Sequence, residues 1–532
     1  MYKSLLFILG VVFSGLWWSC ERAAEQYDIV VYGGTPAGIM AAIQGQKMGK
    51  KVILLEPESR IGGLTAGGLG DTDHGKISTI GGLAADFYRR IGVKYGQPEA
   101  VWQFEPKVAL AVFQELIAEN KVDLKYHERL DLDNGVAKEG SRIVSIRMES
   151  GNVYKGKVFI DATYEGDLMA KAGVSYFVGR EGNARYGEKN NGIRPEGENE
   201  LPGGIDPYRV AGDPASGLLP RVNADAGGNA GDEDTKVQAY CYRMCLTDSV
   251  ENRIFIEKPE GYDEMEYELL FRALEKGMPK DRCFKLHLVG NRKTDSNNHY
   301  GVSTDYNGGN HNYPEAGYAE REKIRKQHET YQKGLVWTLQ NHPRVPQEVR
   351  AYYAAWGLPK DEFVENGHWT PQLYIRESRR MTGDYVVTEN VVRLREPVSD
   401  PVGLGSYAID SHHTQYCLDK EGYVRSEGGF YLPLKQPYQI SYKVMLPKKQ
   451  ECANLLVPVC VSATHAAYGS IRMEPVFMIL GQSAASAAAL CIEKGIDVQD
   501  LDYADLHKEL VKGEQILENP DNEAYKVNAF EK

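Results

Sequence analysis

The sequence predicts an α/β protein: a doubly wound parallel sheet with an α+β domain inserted into it. Two glycine-rich segments near opposite ends of the chain, and a sharp change of composition between them, carry that expectation. The first segment is Tyr27–Gly70. Tyr27–Tyr32 is apolar and β-branched, as a parallel strand buried on both faces must be. Gly33 and Gly38 stand at the first and third positions of a GxGxxG pattern whose middle position is Thr35. Pro36 opens a helix running to Gly49, and Ala37, Gly38, Ala41 and Ala42 keep it slim enough to lie against the sheet. Lys51–Leu55 is the second strand and ends on Glu56, 23 residues after Gly33.

That order places an anion on the helix N-terminus, where N–H groups lack partners, and gives Glu56 the two hydroxyls of an adenosine ribose. The expected ligand is a dinucleotide held by Gly33, Gly34, Thr35, Pro36, Ala37, Gly38 and Glu56. Thr35 crowds the approach to phosphate, and its hydroxyl is expected to donate a hydrogen bond in return. The loop Gly62-Gly63-Leu64-Thr65-Ala66-Gly67-Gly68 follows the acid directly. An NAD domain goes from its second strand into the next βα unit, whereas a second glycine loop brings backbone against a longer molecule. FAD is therefore the predicted cofactor, and the first domain is a Rossmann-like FAD-binding domain.

The chain has 532 residues, 42% of them hydrophobic, enough for a large core and two to three domains. A net charge of −12 argues against a nucleic-acid partner, because phosphate binding needs a basic footprint. Lys3 followed by the apolar run Leu5–Trp18 reads as an export signal, too short for a membrane span. Ser19-Cys20 resembles a lipoprotein cleavage site, with Cys20 the expected lipid-bearing residue and this anchor the only expected membrane contact. Trp17-Trp18 departs from that pattern. The remaining cysteines are Cys241, Cys245, Cys283, Cys417, Cys452, Cys460 and Cys491. They show no CxxC and no metal spacing, so no metal is expected; Cys241-x3-Cys245 is read as buried thiols in preference to a redox pair.

Helices are expected at 80–92 and 107–120, and short strands at 123–128 and 143–149. Val158–Thr163 reads as a buried strand, with Asp161, Ala162 and Thr163 beneath the dinucleotide. Between Gly179 and Asp234 glycine, asparagine, aspartate and proline dominate, a length of loop that is usually functional or disordered. A strand at 236–246, a helix at 264–276 and a long charged helix at 315–340 follow. The expected division is a signal at 1–20, the FAD domain at 21–175 and 431–515, a substrate domain at 176–430, and a tail at 516–532. The second glycine-rich segment closes the fold: a strand at Asn454–Val461, a polar turn, and a helix at Val476–Lys494 with Gly481-Gln482 read as its entrance. That helix end, with Ser470 and Arg472, is expected beside the flavin ring, where positive charge stabilises the reduced form. The alternative for Arg472 is a buried pair with Glu474 or another acid.

With both segments in view, the chain resembles the bacterial FAD-dependent oxidoreductases that read GGTxAGxxAA near the N-terminus. DATYEGDL at Asp161–Leu168, LYIRESRRM at Leu373–Met381 and the run from Ser462 to Ala485 carry the likeness. It extends over residues 27–495, with Ser296 in Lys293–Asn298 standing where the family has an aliphatic residue. Some relatives are labelled xanthan lyase. The resemblance implies a flavin fold and a redox reaction, and leaves the substrate open.

Hydride transfer to flavin N5 needs a base for the hydroxyl proton. The expected bases are His465, close in sequence to Arg472, or one of His412 and His413, since successive residues of an extended chain cannot both face one site. His74 is read as a solvated loop residue rather than a point of covalent flavin attachment. Arg376, Arg379 and Arg380 are spaced for one helix face and suit a substrate carboxylate or an internal ion-pair network. Asn297, Asn298 and Asp305 suit sugar hydroxyls. The chain so read is an exported FAD oxidoreductase acting on a small polar substrate, preferably a carbohydrate, with an unidentified electron acceptor. A redox-neutral lyase or hydrolase and a non-catalytic glycan-binding lipoprotein are the alternatives.

Overall fold

The computed structural model describes residues 25–195, 197–198, 200–299 and 301–521. Cys20 and residues 1–20 lie outside them, as does the tail from residue 522. The opening segment forms β1 (Glu25–Tyr32), α1 (Pro36–Lys47) and β2 (Val52–Leu55). The short α2 (Gly63–Ala66) follows in the second glycine loop, then α3 (Gly82–Lys94), α4 (Pro106–Glu119) and β3 (Asp123–Lys125). β4 (Val136–Glu139) and β5 (Arg142–Arg147) make an antiparallel hairpin, and β6 (Val153–Asp161) returns to the centre. The sheet order is β3-β2-β1-β6-β5-β4, with β1 parallel to both β2 and β6. Ile29, Val30 and Val31 are wholly buried, as helices on both faces require.

β6 joins the strand expected at Val158–Thr163 to the turn and strand expected at Gly151–Lys157, because one long strand can pair along its whole length with β1. Its other edge is shared: β5 takes the first half and β7 (Leu455–Leu456) the second. Only two residues of the strand expected at 454–461 therefore find a ladder. α5 (Asp167–Lys171) follows β6, and α6 (Tyr318–Asn341) is the long charged helix. α7 (His465–Ile471), α8 (Glu474–Lys494) and α9 (Tyr503–Lys512) complete the chain. α8 is apolar and long enough to span a membrane, but it is buried in the core against α1.

The fold is thus α/β, Rossmann-like, with an inserted region built largely from two-residue ribbons. Leu373–Tyr374 pairs with Cys241–Tyr242, Arg380–Met381 with Tyr176–Phe177, and Ile409–Ser411 with Phe430–Leu432. Two expectations fail here. The strand at 236–246 shrinks to Cys241–Tyr242, and the chain at 374–381 is not helical: only Leu373–Tyr374 and Arg380–Met381 form regular ladders. The helical face proposed for Arg376, Arg379 and Arg380 therefore does not exist. The start of α8 at Glu474 also corrects Gly481 from helix entrance to mid-helix.

Candidate active site

The turn after β1 is shaped for close approach. Gly33 has φ +104°, and a Cβ there would meet Ala162 C and Thr163 at 2.9 Å. A Cβ on Gly38 would meet Gly33 O at 1.9 Å, so α1 rests directly on the turn. Thr35 caps α1: its hydroxyl accepts from Gly38 N (3.3 Å) and donates to Ala162 O (2.7 Å). That donor is therefore committed to β6, not to a phosphate. Asp161 holds the facing turn by accepting from Thr163 N, Thr163 Oγ1 (2.7 Å) and Met169 N (2.8 Å).

Glu56 is 7% exposed and accepts from Gly34 N (2.8 Å) and Glu58 N (2.7 Å). Burial pushes its pKa up to about 8, and the two N–H groups offset only part of that. A carboxylate that accepts ribose hydroxyls must be ionised, so binding expels the proton. FAD affinity is expected to rise with pH by up to ~10-fold per unit below pH 8 and to level off above it. Fluorescence titration of apoprotein between pH 6 and 9 checks this, and Glu56→Gln should flatten the curve.

Gly62 (φ +91°) turns the chain into α2, whose Leu64 N donates to Tyr164 Oη (2.9 Å). Tyr164 Oη donates to Glu474 Oε1 (2.8 Å), and Thr65 Oγ1 to Glu474 Oε2 (3.1 Å). The second glycine loop is thereby clasped to the start of α8. Around these elements lies a cleft, with Gly33, Thr35, Glu56 and Gly63 on one side and Tyr318, Arg321 and Arg325 on the other.

Beyond the second glycine loop is a dense polar cluster. Gly68 packs on Arg243 O, and Arg243 pairs with Asp295 (2.5 Å), which also accepts from Asp71 N. The ring of Tyr374 carries Arg376 at 4.3 Å, with Arg243 at 5.9 Å and Arg472 at 5.8 Å. Arg472 donates to Tyr374 Oη (2.7 Å) and Asp410 Oδ2 (2.9 Å), so the acid of its buried pair is Asp410 rather than Glu474; its Nε is buried without a partner among the described residues. Arg376 donates to Ala239 O, Asp305 Oδ1, Cys241 Sγ and His412 Nε2 (3.2 Å). His412 Nδ1 meets Asp305 Oδ2 at 2.6 Å, and its Nε2 lies 3.5 Å from Asp410 Oδ2. Burial opposes ionisation of Asp410, but His412, Arg472 and Arg376 outweigh it and hold its pKa down at about 2.

The structure separates the expected bases. His412 faces this cluster, while His413 points away toward Glu198 O and Glu200. His465 is buried behind the cluster, with Nδ1 on Glu377 (2.8 Å) and Nε2 on Ser411 Oγ (3.1 Å). Burial and nearby Arg380 lower its pKa to about 3, which favours the neutral imidazole, and its ring is turned on Glu377 and Ser411. Arg379 is drawn off to Asp167 (2.7 Å) and Glu315 (2.8 Å), and four of the five Arg376 N–H groups are taken by Ala239 O, His412 Nε2, Cys241 Sγ and Asp305. Asp305 positions His412 instead of binding sugar. Asn297 approaches Cys241 Sγ at 3.9 Å, at the cluster's edge, and Asn298 is half-buried beside it. Ser470 donates to Tyr407 O and accepts from Tyr438 Oη. Gln482 accepts from Leu83 N and donates to Gly513 O, and Gly481 abuts Ala37; neither reaches the polar cluster. His74 Nδ1 is 2.7 Å from Gly75 O, with its ring against Trp102. All seven described cysteines are buried free thiols. Tyr374, Asp410 and Glu377 were missed; the Asp410-Ser411-His412 triplet was the available signal for one of them.

A profile of the family described as FAD dependent oxidoreductase matches residues 28–510. No curated protein matches the chain. Among solved structures, L-proline dehydrogenase from P. horikoshii is 16% identical over 30% of this chain and 59% of its own, with a TM-score of 0.23. The anhydrotetracycline hydroxylase OxyS from Streptomyces rimosus is 14% identical over 30% and 36%, with a TM-score of 0.21. A flavin-containing monooxygenase from Stenotrophomonas maltophilia is 17% identical over 30% and 43%, with a TM-score of 0.20. The chain thus spans less than two thirds of each of these proteins. The glycine turn, Glu56 and the unpartnered Arg472 Nε suit FAD, whose ribose and ring carbonyls supply the matching donors and acceptors.

Proposed function

The chain belongs to the FAD dependent oxidoreductase family, and on that premise we propose that it oxidises a neutral, polyhydroxylated small molecule, a carbohydrate or derivative, with His412 as base. The observation that carries this reading is the His412–Asp305 pair in a cluster joined to the second glycine loop. Bound FAD would supply the acceptor for the hydride of the substrate carbon. Glu56 and the N-terminus of α1 would hold its adenosine half, and Arg472 Nε would be the donor free for its ring. His412 Nδ1–H donates to Asp305, which fixes the tautomer and leaves Nε2 as acceptor. A substrate hydroxyl displaces Arg376 Nη1 from Nε2 and gives up its proton there, and Asp305 stabilises the imidazolium. Asp410 is the weaker candidate, because its neighbours keep it ionised and poorly basic.

The substrate class follows from what remains free. Arg376 and Arg472 are already turned on Asp305, Asp410 and Tyr374, so the protein's own carboxylates meet their charge before a substrate carboxylate arrives. The partly exposed neighbours are Asp410, Asp73, Tyr407 and Tyr431, with Tyr407 Oη on Asp73 (3.0 Å) and its ring 6.4 Å from that of Tyr431. Carboxylates and phenol rings suit hydroxyls and the C–H face of a sugar. Anaerobic bleaching of the flavin should be at least ~10-fold faster with a neutral sugar than with its uronate; the reverse preference would overturn the class. The reading of residues 1–20 adds export and a lipid on Cys20 to the proposal, which mass spectrometry of the membrane-fraction protein tests.

A further inference from the structure

The cofactor cavity has walls from two distant parts of the chain. One is the β1 turn with Glu56; the other is the first two turns of α6, where Tyr318, Arg321, Glu322 and Arg325 all line the same space. Several ties from that end of α6 reach the opposite wall or its flank, while Arg325 Nη2 donates to Pro371 O (3.0 Å). Tyr318 Oη donates to Leu130 O (2.9 Å), and Arg325 Nη1 to Glu58 Oε1 (3.2 Å). Arg321 grips Asp167 with both terminal nitrogens (2.6 and 2.9 Å). Its remaining bonds, to Tyr313 O (3.1 Å) and Pro314 O (3.0 Å), brace the segment leading into α6.

We propose that the N-terminal end of α6 is the door of the FAD cavity and that the Arg321–Asp167 pair is its latch. Four donations to protein oxygens leave Arg321 little capacity for direct ligand contact. Both partners are about 96% buried (each 4% exposed), where an ion pair is strong and yields slowly. Asp167 also accepts from Arg379 (2.7 Å), so opening does not strand its charge. FAD lying between the walls is released only when α6 lifts, and it enters by the same motion. A door affects both directions of traffic, whereas a ligand contact acts mainly on release.

Arg321→Gln keeps Asp167 paired with Arg379 and is the variant to test. FAD release from the holoprotein, followed by flavin fluorescence with a trapping apoflavoprotein in excess, should quicken by about 10-fold or more. Uptake of FAD by the apoprotein should quicken by a similar factor, leaving Kd within about threefold of wild type. Faster release with unchanged uptake would make Arg321 a ligand contact and overturn the door. Unchanged rates in both directions would also overturn it. Should Arg321→Gln fail to fold, Tyr318→Phe removes the Leu130 tie alone. It should shift both rates in the same direction by a smaller factor, and no shift in either rate would count against the door.

Discussion

Replacing Lys293 by Met should destabilise the folded protein by about 3–5 kcal/mol, read as a lower urea midpoint at unchanged slope. The Lys293 ammonium is 1% exposed and lies among three carboxylates: Glu105 (2.7 Å), Asp361 (2.8 Å) and Glu362 (2.8 Å). Their oxygens come within 4.8 Å of one another, a set that resembles a cation site, and the ammonium is the cation. Burial alone would lower the lysine pKa, yet the three acids raise it. Methionine fills the same volume and leaves Glu105 and Glu362 buried and mutually repelling. Glu362→Gln in that background should recover part of the loss. The KTD segment is thus a structural rivet: Lys293 binds the helix that begins at Pro106 through Glu105, and Asp295 binds Arg243.

Gly481→Ala is the second large effect. A Cβ at residue 481 would meet Ala37 O at 2.1 Å and Ala37 Cα at 2.9 Å, both backbone atoms that no side-chain rotation can move. Ala37 belongs to the first turn of α1, the helix whose N-terminus is proposed to carry the phosphates. The expected cost is about 1–3 kcal/mol of stability with at least ~10-fold weaker FAD binding, measured by thermal melt and flavin titration. FAD bound at wild-type affinity would show that α1 keeps its place without the α8 contact.

Gly481 also shows what the sequence could and could not disclose. A glycine within an apolar run ordinarily marks a helix end, so the pair Gly481-Gln482 reads as an entrance. The physical requirement is instead helix-to-helix contact across more than 440 positions of chain (Ala37 to Gly481). The β1–α1–β2–Glu56 unit was legible because its determinants are local: an apolar strand, glycines at fixed spacing, and an acid at a strand end. The polar cluster was not, because Cys241, Asp305, Arg376, Asp410, His412 and Arg472 meet through two-residue ribbons that have no periodicity to read. Nearness in sequence to Arg472 favoured His465, yet α7 turns it inward to Glu377 while β-pairing at Ile409–Ser411 brings His412 to the cluster.

The most direct test is anaerobic stopped-flow reduction of the bound flavin in His412→Asn, beside wild type, with a neutral sugar that bleaches the wild-type protein. The account predicts an unchanged flavin spectrum and FAD affinity, with reduction slowed by at least ~10²-fold. Reduction at the wild-type rate in that variant would contradict His412 as the base.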